Sequence, residues 1–268
     1  MKMKIKLGDT VELNDFHYLI QGVSGTGKST FLNLLILEIS KELSKKADKS
    51  DNLEAYKSLN VIDSKQNLIY SLRHSFPFDG KENFAATPEQ AEKILKNAVE
   101  EIQKRTKLFD NKSLPLDTDF RSLGLQPYWV IWDETIETLT RAKVEDSKLY
   151  KSLNDLTVRI LTMGRALGVF MICTSIRADV GSFPGGGVTR STMSKILLAD
   201  VGKEPDEQGA IMLFNTFKGL PMPPENGKFW LYIQGEAGKV KLALTPTLGK
   251  NVDVRGLLEK YMHKQYYQ

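Results

Sequence analysis

The chain has 268 residues, of which 41% are hydrophobic and 26% are charged, as expected for one large globular domain or two small ones. Its single cysteine, Cys173, excludes an internal disulfide and a cysteine-based zinc site, and its net charge of +4 is too small to indicate nucleic acid by itself. No apolar run reaches the roughly 18 residues of a membrane span, and the basic start lacks the apolar segment of a secretory signal. We therefore expect a cytoplasmic protein that spans no membrane and reaches one only through a partner.

Short apolar segments alternate along the chain with longer segments of helical pattern. The strand candidates, in chain order, are "HYLIQG", "SLNVID", "YWVIWD", "GVFMICT", "KILLAD", "KFWLYIQG" and "KVKLALTP". Helices are predicted over Ser29–Lys45, Pro88–Phe109 and Tyr150–Leu167. This alternation is typical of an α/β fold with a mostly parallel central sheet flanked by helices.

The end of the chain has a different pattern. Only "EAG" separates the last two strand candidates, so a C-terminal antiparallel hairpin is predicted. No linker rich in proline or glycine divides the sequence. A single domain over residues 1–268 is therefore expected, with about 20 final residues as a tail or helix.

The first strand candidate runs directly into "GVSGTGKST", which has the spacing of a phosphate-binding loop. Glycines allow the tight turn that points backbone N–H groups at phosphate oxygens. Lys28 is expected to contact the terminal phosphates of ATP, and the Ser29 hydroxyl to ligate Mg²⁺. The helix that follows would add the positive potential of its N-terminus. The predicted ATP-binding residues are Gly22, Val23, Ser24, Gly25, Thr26, Gly27, Lys28, Ser29 and Thr30.

A second acidic element completes the predicted nucleotide site. Asp133 and Glu134 end the apolar strand "YWVIWDE". The first carboxylate is placed to hold Mg²⁺, and the second to orient and deprotonate the attacking water; the alternatives are a helix-capping Asp133 and a flanking Glu134 without a role. The sequence lacks the base-reading segment of GTPases, the signature of transporter ATPases and the arginine-rich lid of small-molecule kinases. Of the nucleotide-binding classes considered, the RecA-like branch of hydrolytic P-loop ATPases is the one that fits the sequence.

Five segments occur in the order found in one ATPase family: "ELNDFHYLIQGVSGTGKST", "LNVIDSKQ", "ATPEQAEKILKNAVEEIQKRTKLF", "QPYWVIWDETIETL" and "MGRALGVFMICTS". Together they resemble the motor domain of the FtsK/SpoIIIE DNA translocases, in the FtsK–HerA superfamily. Asp63 and Lys65 match the family's Ile-Asp-Pro-Lys strand end, with Ser64 replacing the proline. The resemblance runs roughly from Glu12 to Thr245. The family's membrane region, extra α-domain and winged-helix tail have no counterpart, so a minimal motor is expected.

The resemblance also implies an oligomeric ring, most simply a hexamer. In such rings a neighbouring subunit supplies an arginine to the transferred phosphate. Arg165 is the first candidate, on the expectation that it lies near the sheet edge carrying Thr174; Arg177 and Arg190 are the alternatives, and a surface arginine at a helix end is the simplest other role. Thr174 is expected to keep a phosphate-sensing role, although Ser175 replaces the family's sensor glutamine.

The irregular segment "RADVGSFPGGGVTRSTMSK" is the candidate DNA contact. In the family this region faces the channel of the ring, and Arg177, Arg190 and Lys195 are the cations expected to hold phosphates without reading bases. The alternative is a surface loop with no ligand.

The function that the resemblance implies is ATP-driven translocation of DNA, double-stranded and without sequence preference, in conjugative transfer or genome packaging of a mobile element. A relaxase, a capsid or a membrane channel would be the partner. Two other functions remain open: a protein-secretion ATPase, and a nucleotide-dependent scaffold that recruits a DNA-processing partner. DNA-stimulated ATP hydrolysis separates the first function from the other two.

Overall fold

The computed structural model describes residues 5–7, 11–14, 16–47, 55–111, 113–177, 183–199, 206–223, 230–234, 239–245, 249 and 251–263. Within these ranges, no helix is both long enough and apolar enough to cross a membrane.

The strands are β1 Ile5–Leu7, β2 Val11–Leu13, β3 Tyr18–Gln21, β4 Leu59–Asp63, β5 Phe84–Ala85, β6 Tyr128–Asp133, β7 Val169–Ser175, β8 Ser194–Ala199, β9 Trp230–Gln234 and β10 Val240–Leu244. The α-helices are α1 Lys28–Ala47, α2 Pro88–Phe109, α3 Thr135–Glu145, α4 Ser147–Leu167, α5 Gly186–Ser191, α6 Glu207–Phe214 and α7 Val254–Met262. Short 3₁₀ helices cover Ala55–Ser58, Tyr70–Ser75 and Pro77–Gly80.

Eight of these strands form one sheet in the order β10-β9-β8-β3-β7-β6-β4-β5. The six strands from β8 to β5 are parallel to their neighbours, whereas β9 and β10 pair antiparallel. This confirms the mostly parallel sheet and its C-terminal antiparallel strands; the turn between those strands, 235–238, lies outside the described residues. The small antiparallel sheet of β1 and β2 was not predicted.

Helices cover both faces of the large sheet, because the side chains of its central strands are buried on either side. On β6, Trp129 and Ile131 join a core with α1 and α7, whereas Val130 and Trp132 join a second core with α2 and α4. Burial on both faces explains why the central strands are continuous apolar runs instead of alternating patterns. The carboxyl ends of the parallel strands then meet at one edge, where α/β proteins bind ligands.

Capping residues, which the sequence prediction did not use, determine where two of the helices begin. Helix α2 has the predicted bounds, and a reciprocal capping box between Thr87 and Gln90 fixes its start. Helix α4 begins three residues before the predicted Tyr150, because the Asp146 side chain accepts a hydrogen bond of 2.8 Å from the Lys148 N–H. Near the end of the chain, α7 occupies part of the segment predicted as a tail or helix.

Arg105 on α2 is buried, with 4% of its surface exposed, and joins three parts of the fold. Its guanidinium donates to the main-chain carbonyls of Leu167 at 2.8 Å, Gly168 at 3.2 Å and Gln126 at 2.8 Å. Its Nε also pairs with Glu101 at 2.7 Å. The side chain thus supplies donors to carbonyls at the end of α4 and before β6.

We predict that Arg105→Met lowers the free energy of unfolding by about 3 kcal/mol, because it leaves buried carbonyls without donors. Urea unfolding followed by circular dichroism would measure the change. Lys104→Met, on an exposed neighbour in the same helix, is the matched control and should change stability by less than about 0.5 kcal/mol. Equal denaturation midpoints for the two variants would contradict the prediction.

Candidate nucleotide-binding site

The predicted phosphate loop connects β3 to α1 at the carboxyl edge of the sheet. Gly25 and Gly27 have backbone φ angles of 90° and 83°, which residues other than glycine rarely adopt. A Cβ on Gly22 would lie 2.5 Å from Thr26 Oγ1, and that hydroxyl donates to the Val23 carbonyl at 2.9 Å. The loop therefore favours glycine at all three positions, of which the motif specifies Gly22 and Gly27.

The strand order brings the acidic pair beside this loop. Strand β7 lies between β3 and β6, so Thr174 is placed between the phosphate loop and the end of β6. Its hydroxyl donates to Asp133 Oδ1 at 2.6 Å and accepts from the Glu134 N–H at 2.8 Å. Thr174 therefore contacts the carboxylate of Asp133 and the main chain of Glu134 at once.

Glu134 is 2% exposed and lies in the left-handed backbone region, with φ of 49°. Its carboxylate accepts from the Ile176 N–H at 3.0 Å and pairs with Lys28 Nζ at 3.0 Å. Lys28 Nζ also donates to the Gly22 carbonyl at 3.3 Å. The residues predicted to bind phosphate and to activate water are thus direct neighbours.

Asp63 and Lys65, quoted above only for the resemblance, belong to the same site. Asp63 ends β4 opposite Asp133, is fully buried, and accepts hydrogen bonds from three backbone N–H groups of the following loop. Burial, and next the Asp133 carboxylate, raise the pKa of Asp63 above its usual value. Lys65 Nζ lies 3.5 Å from the Glu134 carboxylate. The signal for both residues was the "IDSKQ" segment.

The donor set suits Mg²⁺ held together with a nucleotide. Among the described residues, no three His, Cys, Asp or Glu side chains are grouped as a protein-only metal site would require. Mg²⁺ is usually bound through one or two carboxylates, water and substrate phosphates. Asp133 offers the carboxylate, with Asn67 donating to its Oδ2 at 3.4 Å, and Ser29 is exposed at the start of α1.

The position expected for Arg165 is wrong. It lies in the last turn of α4, before β7 begins, whereas Thr174 is next to the end of β7. Seven residues of strand place these ends roughly 20 Å apart. The exposed guanidinium stacks on the Phe16 ring, 4.1 Å from its centroid. Arg165 therefore cannot serve its own chain's nucleotide site.

The three cations predicted to hold DNA do not form one surface. Arg177 is exposed just beyond the carboxyl end of β7. Arg190 is only 7% exposed on α5 and donates to the Met212 carbonyl, so neither DNA binding nor a role as arginine finger fits it. Lys195 is half-buried near the start of β8, and burial, then Arg190, lower its pKa. Residues 178–182 of this segment lie outside the described residues.

We predict that Thr174→Val lowers the ATP turnover number on the order of 10²-fold, because Asp133 loses a donor and the Glu134 N–H loses its acceptor. Thr174→Ser keeps the hydroxyl and should stay near the wild-type rate. Steady-state hydrolysis at saturating ATP measures the effect, with circular dichroism to confirm that both variants fold. Equal rates for the Val and Ser variants would remove Thr174 from the catalytic network.

No protein-family model and no curated protein matches the sequence. Solved structures do share its fold. The conjugation coupling protein TcpA of pCW3, in a monomer form with ATPγS, aligns with a TM-score of 0.66 and 15% identity over 96% of this chain and 70% of that one. EssC ATPases 2 and 3 from Geobacillus thermodenitrificans align with a TM-score of 0.60 and 15% identity, over 95% of this chain. The cytoplasmic domain of the type VII secretion ATPase EccC from Thermomonospora curvata aligns with a TM-score of 0.58 and 16% identity, over 97% of this chain.

EssC and EccC are ATPases and the TcpA structure contains ATPγS, and the likeness of fold confirms the predicted RecA-like P-loop architecture. The chain spans 46% of the EssC structure and 31% of the EccC structure, so it matches one ATPase unit within longer chains.

Proposed function

We propose that the chain is an ATP-hydrolysing motor that moves DNA through an oligomeric ring. The observation that carries the ATPase part is the convergence of Lys28, Asp133, Glu134 and Thr174 at the carboxyl edge of the sheet. These residues come from the phosphate loop and the ends of two strands. Each has the chemical group that phosphoryl transfer to water requires.

In the reaction, a water oxygen attacks the γ-phosphorus, the bond to the bridging oxygen of the β-phosphate breaks, and ADP and phosphate form. Lys28 turns from Glu134 to the phosphates and balances their charge. Glu134 orients the water and accepts its proton. Mg²⁺, when held by Ser29 and Asp133 with the phosphates, supplies further positive charge. Thr174 links Asp133 to the Glu134 main chain and keeps the two carboxylates in register.

The DNA part of the proposal is supported by the sequence resemblance to DNA translocases and by the likeness to a conjugation coupling protein, TcpA. Conjugative transfer is the process that fits both. Contact with the DNA backbone needs only exposed cations and no base reading. Arg177 is exposed next to the nucleotide site and is the one residue of the predicted DNA-binding trio that remains suited to such contact.

The test is the rate of ATP hydrolysis with and without linear duplex DNA, at low and moderate salt. We expect DNA of unrelated sequences to raise the rate equally, and the effect to weaken as salt rises, because phosphate contacts release counterions. Glu134→Gln should bind ATPγS without hydrolysing ATP, and Lys28→Ala should not bind it. A rate that DNA leaves unchanged at every salt concentration would contradict the DNA proposal.

A second candidate function is protein secretion, favoured by the likeness to EssC and EccC. The same experiment separates the two functions, since a secretion ATPase has no need for DNA. Hydrolysis that is intact but indifferent to DNA would favour secretion.

The position of Arg165 supports the proposed ring. A RecA-like site lacks one positive charge at the γ-phosphate, and Arg165 is exposed at the far edge of the sheet, where it can only act on a neighbouring chain. Its stacking on Phe16 restricts the guanidinium before a neighbour arrives.

We predict that Arg165→Ala lowers the hydrolysis rate on the order of 10³-fold, and that mixing it with Lys28→Ala chains restores part of the activity. The mixture pairs an intact nucleotide loop in one chain with an intact arginine in the next. Arg159→Ala, exposed on the same helix, is the matched control and should retain the wild-type rate. Absence of rescue in confirmed mixed oligomers would point to Arg177 or to catalysis within one chain.

A further inference from the structure

One carboxylate oxygen of the site serves two lysines. Glu134 Oε2 lies 3.0 Å from Lys28 Nζ and 3.5 Å from Lys65 Nζ, while Oε1 accepts from the Ile176 N–H at 3.0 Å. The side chain of Glu134 is almost entirely buried, and that of Lys65 is 42% exposed. Lys28 has a role in binding phosphate, but no role has yet been assigned to Lys65.

The main chain around Lys65 is fixed from several sides. Asp63 Oδ1 accepts from the Lys65 N–H at 3.1 Å. Ser64 Oγ lies 2.7 Å from the Thr138 hydroxyl on α3, and Arg141 donates to the Ser64 carbonyl at 3.4 Å. The lysine is therefore presented from an anchored loop, and only its side chain is free to adjust.

The two lysines reach Glu134 from different sides. Lys28 follows β3, whereas Lys65 follows β4, and β7 and β6 lie between those strands. Three strand spacings separate β3 from β4, which is about 14 Å across the sheet. Glu134, at the end of β6, is the point at which the two side chains meet.

Binding of ATP removes one of these partners. When Lys28 turns to the phosphates, Glu134 loses the ion pair at 3.0 Å. A buried carboxylate that loses its partner is strongly disfavoured. The Ile176 N–H and Lys65 are the two remaining contacts that the structure provides.

We propose that Lys65 is a positioning residue for ATP hydrolysis: it keeps the Glu134 carboxylate directed at the attacking water once Lys28 has moved to the nucleotide. This inference rests on the proposed ATPase function and not on the DNA part of it. Because Lys65 acts through Glu134, it contributes to turnover and not to nucleotide affinity. A lysine that contacted the γ-phosphate directly would contribute to both.

The test compares Lys65→Met, Lys65→Arg and the control Lys104→Met in the 268-residue chain without DNA. We expect Lys65→Met to lower kcat roughly tenfold through misplacement of Glu134, while KM and the Kd for ATPγS stay within about twofold of the wild type. Lys65→Arg keeps the cation and should retain about half of the wild-type kcat. Lys104→Met should leave all three constants unchanged.

An unchanged kcat for Lys65→Met would overturn the inference. So would a loss of ATPγS affinity as large as the loss of kcat, which would place Lys65 on the phosphate, or an Arg variant as slow as the Met variant. Failure of the proposed function looks different. A wild-type chain that does not hydrolyse ATP contradicts the ATPase, and one that hydrolyses ATP without responding to DNA contradicts only the translocase.

Discussion

A carboxylate that is removed from water must keep charged or hydrogen-bonding partners, and Glu134 is only 2% exposed. Its partners come from three separate parts of the chain: Lys28 from the phosphate loop, Lys65 from the loop after β4, and the Ile176 N–H from the end of β7. The burial of one side chain thus requires three segments to be correctly placed at once. This requirement ties the nucleotide site to the order of the strands.

Because Glu134 needs these partners, nucleotide binding would change its surroundings. Lys28 serves Glu134 in the structure but is needed by phosphate when ATP binds, so a nucleotide competes with the protein for one ammonium group. The Thr174 hydroxyl touches Asp133 and the Glu134 main chain together, an arrangement that suits the phosphate-sensing role predicted for it. Under the proposed function, this exchange of partners over a few ångströms would couple ATP binding to hydrolysis.

The sequence predicted features that depend on residues close together in the chain, and it missed features that depend on contacts between distant segments. The apolar strands, and the helix that follows the loop motif, depend on residues close together in the chain, and the structure confirms them. The roles assigned to the phosphate loop and the acidic pair stay predictions. The positions of Arg165 and Arg190 were not predicted correctly, because they depend on where a strand begins and on which helix covers it. Lys65 carried a motif signal, but its contact with Glu134 arises only from strand order, which periodicity does not contain.

Strand β7 has Thr174 next to one end, and Arg165 precedes the other. In the proposed ring, one end of this strand would lie beside its own chain's nucleotide, and the helix end before the strand would face the neighbour's nucleotide. Buried on both faces and paired along its length, β7 is among the least deformable parts of the molecule. A displacement of one end of β7 on phosphate release would therefore also move its other end, toward the next site. In the proposed ring, the sheet itself would thus connect successive nucleotide sites mechanically.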